Sequence, residues 1–117
     1  MTDPSIRGRL RIDDRVVERI ATLAAQEVAG VTRSGSTLES VVGRRYPKAA
    51  AHTAGGHTTV SVELAVVWPA PLGAVARQVR DRVHERLHHL TGLAVDSVHV
   101  TTTKVVHAGP DEGGRVE

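Results

Sequence analysis

The order of apolar and polar positions divides the chain into segments of two different periods. From Val60 to Trp68 every second residue is apolar (Val60, Val62, Leu64, Val66, Trp68), the signature of a strand with one buried face. Pro69 ends that strand because it has no amide to donate to a ladder, and Pro71 suits the first turn of a helix, where the amide would be unpaired anyway. The period then changes. Leu72, Val75, Ala76, Val79, Val83, Leu87 and Leu90 recur at spacings of three and four, which predicts an amphipathic helix of about five turns ending at Thr91-Gly92 and lying across the sheet. The β-branched run from Leu93 to Val106 predicts a last strand. Leu93 and Val95 share one parity and Val98 and Val100 the other, so a bulge or bend is predicted near Asp96-Ser97.

The first half is built from the same two patterns. Gly8-Arg9-Leu10-Arg11-Ile12 alternates and predicts a short strand. Asp13 and Asp14 offer capping oxygens to a helix running to about Val28, with Gly30 as its stop. Its predicted buried stripe is Val17, Ile20, Ala24 and Val28, widened by Val16 and Leu23. Ser36 and Glu39 fit a capping box, and Leu38, Val41 and Val42 before Gly43 predict a short helix. Ala49 to Thr53 and Thr58 to Trp68 flank Ala54-Gly55-Gly56-His57, a hairpin whose glycines tolerate positive φ. The order is β-α-(short α)-β-β-α-β. It predicts an α+β fold of two layers, a mostly antiparallel sheet packed on two main helices. Residues 8–107 are expected to form a single domain. Residues 1–7 and 108–117 are expected to be flexible tails, since Pro, Gly and charge without hydrophobic period do not offset the entropy of ordering.

Composition narrows the picture. Apolar residues make up 40% of the 117 positions, but aromatics only 2% and Phe none, so the core is aliphatic. The absence of Cys removes disulfides, thiolate nucleophiles and thiolate metal sites together. No apolar run approaches the ~18 residues of a membrane span, and the N-terminus lacks a signal-peptide core. The expectation is a cytoplasmic protein that reaches a membrane only through a partner. The net charge is +2, carried by Arg far more than Lys and spread along the chain, which is a weak footprint for nucleic acid.

One stretch invites a chemical reading. His84-Glu85-Arg86-Leu87-His88 spells H-E-x-x-H, which on a helix sets two imidazoles one turn apart beside a general-base carboxylate, as in zinc peptidases. Against it, at ~100° per residue both imidazoles turn away from the apolar stripe, and Arg86 places a cation beside the metal position. A third ligand would have to come from His99, His107 or the C-terminal tail. A solvated helix face explains the same residues. No nucleophile setting or phosphate loop is present, so the sequence implies no catalytic residue, no cofactor, no metal and no small-molecule substrate. Arg33, Arg44, Arg45 and Lys48 gather cations around the middle segment, where a solvated loop competes with an acidic partner, phosphates or anionic lipid. Trp68 reads as a core rim by its parity, and nothing in the sequence decides the surroundings of Tyr46.

The order of elements also occurs in RNA-binding modules. The stacking aromatics of those sheets are absent here, because the strands carry Val, Thr and Ser. Arg77, Arg80, Arg82 and Arg86 on the long helix keep nucleic acid as the alternative, although Asp81 and Glu85 interrupt that face.

Gly8 to Val17, leading into Ala24-Ala25-Gln26-Glu27-Val28-Ala29-Gly30-Val31, resembles the opening of the alkaline shock protein family, the envelope stress response proteins of Gram-positive bacteria. Val60 to Trp68, Pro71 with Val75-Ala76-Arg77-Gln78-Val79-Arg80, and Leu90-Thr91-Gly92-Leu93 before Val95 and Val98 resemble its second half. The similarity covers about Gly8 to Val106 in the family's order, with a looser match from Thr32 to His57. The resemblance implies a non-enzymatic cytoplasmic protein of the envelope stress response, self-associating as a homo-oligomer and held near the membrane by a membrane-anchored relative. It implies no catalytic residues. Arg44, Arg45, Arg77, Arg80, Asp81, His84 and His88 are then the candidate partner-binding residues, and a zinc peptidase ranks below nucleic-acid binding as an alternative.

Overall fold

A computed structural model describes residues 12–31 and 46–107. Helix α1 spans Asp14–Gln26 and is followed by strands β1 (Lys48–Ala54) and β2 (His57–Trp68), helix α2 (Leu72–Thr91) and strand β3 (Ala94–His107). The fold is α+β: a three-stranded sheet in the order β1-β2-β3 carries both helices on one face. The strand expected over Gly8 to Ile12 and the short helix expected over Ser36 to Gly43 lie outside the described residues, apart from Ile12, which packs against the core just before α1.

Asp13 caps α1 by accepting the amide of Arg15 at 2.9 Å, an N-terminal role its position dictates. The helix stops at Gln26, two residues before Val28. Its buried face is Val17, Ala21, Ala24 and Ala25, with Val28 just beyond. This corrects the expected stripe, since Val16 and Leu23 are each 48% exposed. Both sit ~100–120° round the helix from Val17, whereas Ala21 and Ala25 fall within ~80° on its other side. Alanine gives a weak sequence signal for the core because its apolar area is small, yet Ala21, Ala24 and Ala25 are all buried. It is that smallness which brings α1 close to the strands.

Gly55 and Gly56, at φ 60° and 81°, form the two-residue turn between β1 and β2, and these strands pair antiparallel from Lys48 opposite Glu63 to Ala54 opposite His57. β2 and β3 pair parallel, so the sheet is mixed where mostly antiparallel pairing was expected. The reason is the connection: α2 carries the chain back along the sheet, and a strand that follows such a crossover runs with its partner. The predicted bulge is present, with Val95 opposite Thr58, Ser97 opposite Thr59 and Asp96 unpaired between them. A second irregularity leaves Thr103 between Thr102 and Lys104.

Val60, Val62, Leu64 and Val66 of β2 meet Val75, Val79, Val83 and Leu87 of α2 and the small face of α1. Fully burying a Val or Leu side chain is worth about 1.5–3 kcal/mol, so this aliphatic layer is the main stabilising element. Leu90 shares the stripe's spacing but is 61% exposed, at the last turn of α2 beyond the sealed core. Trp68 is 47% exposed, a rim position in keeping with the parity of its strand. Tyr46 is buried with Ala65 and Val106 in a second small cluster on the opposite face of the sheet.

Candidate interaction surfaces

Helix α2 has three kinds of surface around its buried row. On the flank toward α1, Arg82 and Arg86 converge on Glu27, the C-cap of that helix. Arg86 donates through Nη1 to Oε2 and through Nη2 to Oε1, both at 2.7 Å, and Arg82 donates to Oε1 at 2.6 Å. Hydrogen bonds from Arg82 and then Arg86 hold the Glu27 carboxyl below its ordinary value. On the other flank, toward β3, lie Arg77 and Arg80. Arg80 reaches only its neighbour Asp81, at 3.5 Å with both side chains exposed, which is a weak pair. The crest carries Asp81, His84, Glu85 and His88, all exposed.

These positions sort the residues singled out from the sequence. Arg77, Arg80, Asp81, His84 and His88 share one solvent-facing side of α2, whereas Arg44 and Arg45 lie outside the described residues. The row of four arginines that kept nucleic acid in view is split, since Arg82 and Arg86 are committed to Glu27. His88 Nδ1 donates to the Leu93 carbonyl at 3.2 Å, tying the helix end to the start of β3. Among the described residues no third ligand joins His84 and His88, and no group of three His, Asp or Glu is placed to hold a metal ion. His57 and Asp96 pair at 3.0 Å beside the bulge, both exposed.

The two edges of the sheet differ. At β1 two outward amides are taken by α1: Asp14 Oδ1 accepts from Thr53 at 2.9 Å, and Glu18 Oε2 accepts from Ala51 at 3.0 Å. The sequence pattern assigns Asp14 to the helix cap and leaves Glu18 outside the predicted buried stripe. The available signal was their spacing of four, one helical turn, beside the buried stripe. At β3 no described strand pairs with the outer side. Val95, Val98 and Val100 are only half-buried, although the matching positions on β2 are sealed. A groove of about 230 Å³ runs there between Ala76, Arg77 and Arg80 of α2 and Val98, His99 and Val100 of β3.

A larger apolar cleft, about 510 Å³, opens where Gly30 and Val31 meet Val67, Pro69, Pro71 and Val75. The Gly30 carbonyl accepts the amide of Val67 at 2.8 Å, and Val31 bridges to Val66 on the side of β2 that β1 has left free. Gly30 holds φ 95°, a conformation that glycine tolerates and a side chain strains.

The sequence profile of the alkaline shock protein 23 family, described by a cell envelope-related function, matches residues 2–107. The chain belongs to this family. Among solved structures, a MamM-CTD variant is similar at 15% identity, with a TM-score of 0.51 over 79% of this chain and 99% of that one. A cadmium form of the MamM CTD matches at 15% identity and a TM-score of 0.50, over 79% and 98%. At such identity the likeness is one of fold, and it supports the arrangement of two helices on a three-stranded mixed sheet. No described helix of this family member is long and apolar enough to cross a membrane; α2 has the length but carries charge throughout.

Proposed function

We propose that this chain is a non-enzymatic interaction module of the envelope stress response, a single domain over residues 8–107. In this reading it self-associates in the cytoplasm and is held near the membrane by a membrane-anchored relative. The observation that carries the reading is the family match over residues 2–107, with its cell envelope-related description. The surface agrees with it. Arg82 and Arg86 of α2 hold the two helices together, Arg77 and Arg80 flank β3 and the crest is exposed, and among the described residues the carboxyl shift at Glu27 is explained by the two arginines that tie α1 to α2. Arg44, Arg45, Arg77, Arg80, Asp81, His84 and His88 are the proposed partner-binding residues.

The test is crosslinked affinity purification of the tagged protein from its own cells, before and after alkaline stress, with mass spectrometry of what is recovered. Copies of itself together with a membrane-spanning relative are expected. Recovery of ribosomal proteins and RNA in their place would transfer the assignment to nucleic-acid binding, and a strictly monomeric protein at cellular concentration would remove self-association.

A further inference from the structure

One sheet edge is partly closed by α1, and among the described residues the other carries no partner strand. The amides of Ala51 and Thr53 at the β1 edge are already held by Glu18 and Asp14, so that side offers few free donors. In β3, a strand of 14 residues, every other residue turns its N–H and C=O away from β2. Among the described residues nothing takes them up. Alongside runs the groove whose wall is Arg77 and Arg80 and whose floor is Val98, His99 and Val100. Asp81, on the crest, meets Arg80 only in a long exposed contact.

We propose that this edge binds an extended acidic segment of a partner protein, which adds as a fourth strand beside β3 and sets its carboxylates against Arg77 and Arg80. The inference rests on the interaction-module reading. In an extended segment alternate side chains share one face, about 6.7 Å apart. Arg77 and Arg80 are separated by about 4.5 Å along the helix axis, a difference that two long guanidinium side chains absorb. Backbone pairing supplies the affinity and the alternating carboxylates the selectivity. A second copy of this chain is the poorer occupant. Pairing β3 with β3 would bring Arg77 and Arg80 of one protomer against the same residues of the other, a like-charge contact.

The probe is a fluorescent peptide of about eight residues alternating Glu and Val, titrated against the full chain by anisotropy. Saturable binding is expected, with none for the Lys-Val counterpart. The double variant R77S/R80S should weaken binding about tenfold or more, as loss of charge-assisted hydrogen bonds requires. Both residues are exposed, and circular dichroism verifies that the variant is folded. Two further peptides, N-methylated on one or the other set of alternate amides, read the backbone directly: one should lose about tenfold and its companion should bind within about twofold of the parent. Equal binding of all three peptides overturns strand addition, and an unchanged R77S/R80S overturns the arginine assignment. Absence of any peptide binding, while self-copies and a membrane-spanning relative are still recovered from cells, removes this docking and leaves the interaction-module reading standing.

Discussion

Glu27 and Arg86 form a two-pronged ion pair across the α1–α2 seam, with both guanidinium-to-carboxylate contacts at 2.7 Å. Arg82 completes the clamp from one turn earlier. Three side chains thus fasten the exposed seam above the aliphatic core.

The clamp makes stability depend on pH with a defined sign. The folded Glu27 carboxyl lies below the unfolded value of 4.5, so the contribution is present above that value and is lost as pH falls through the lowered folded value. Urea midpoints of the parent and of Glu27→Gln should differ near neutrality and converge in acid. Molar salt should also narrow the gap, because all three side chains are partly exposed. A gap that persists unchanged at low pH would assign the effect to something other than the ion pair.

Core burial predicts a sharp contrast between two leucines of α2. Leu87 is fully buried, and Leu87→Ala should cost about 2–5 kcal/mol in chemical denaturation. Leu90, three residues on, is 61% exposed, and Leu90→Ala should stay within about 0.5 kcal/mol. Similar costs at the two sites would show that Leu90 is covered in solution.

At the β1 edge, Glu18→Ala and Asp14→Ala each remove the acceptor of one strand amide. Each should destabilise by about 1 kcal/mol. Hydrogen exchange should quicken first at Ala51 for the Glu18 variant and at Thr53 for the Asp14 variant. Glu18→Gln keeps an acceptor oxygen and should restore protection at Ala51. Uniform loss of protection along β1 would mean that the carboxylates act on the strand as a whole.

Gly30 combines φ 95° with a tight position, where an added Cβ would stand 3.4 Å from Val75 Cγ2. Gly30→Ala should therefore lower stability by about 1–3 kcal/mol, chiefly through backbone strain. At Gly55, also at positive φ but with nothing within 4 Å, the same substitution tests the strain without the neighbour. A larger loss at Gly55 than at Gly30 would contradict the account.

Much of the fold was legible because its signals are local. The change of parity between Val95 and Val98 located the bulge at Asp96, and Gly55-Gly56 located the hairpin turn. The apolar row Val75, Val79, Val83, Leu87 marked the inner face of α2. Misreadings arose where a residue's value depends on its partner. Val16 and Leu23 outrank Ala21 and Ala25 in hydrophobicity, yet the sheet meets the alanine side of α1. The candidate surface was legible as a row of charges on α2, but its division into a committed flank and a free flank was not.

Among the described residues, the strands of the hairpin and β3, the turns at Gly55-Gly56 and Gly92 and the buried face of α2 were readable in the sequence, since periodicity, capping and turn geometry are set by residues a few positions apart. Which charges pair across the molecule depends on how the elements pack. Asp14 reaches Thr53 across 39 positions, Glu18 reaches Ala51 across 33, and Glu27 meets Arg86 across 59. The spacing of Asp14 and Glu18 shows that they share a helix face, but which strand amides they meet leaves no periodic trace, because it depends on how the helix layer seats on the sheet. That seating brings Asp14 and Glu18 of α1 onto the β1 edge, while among the described residues no strand pairs with β3 on its outer side, beside Arg77 and Arg80.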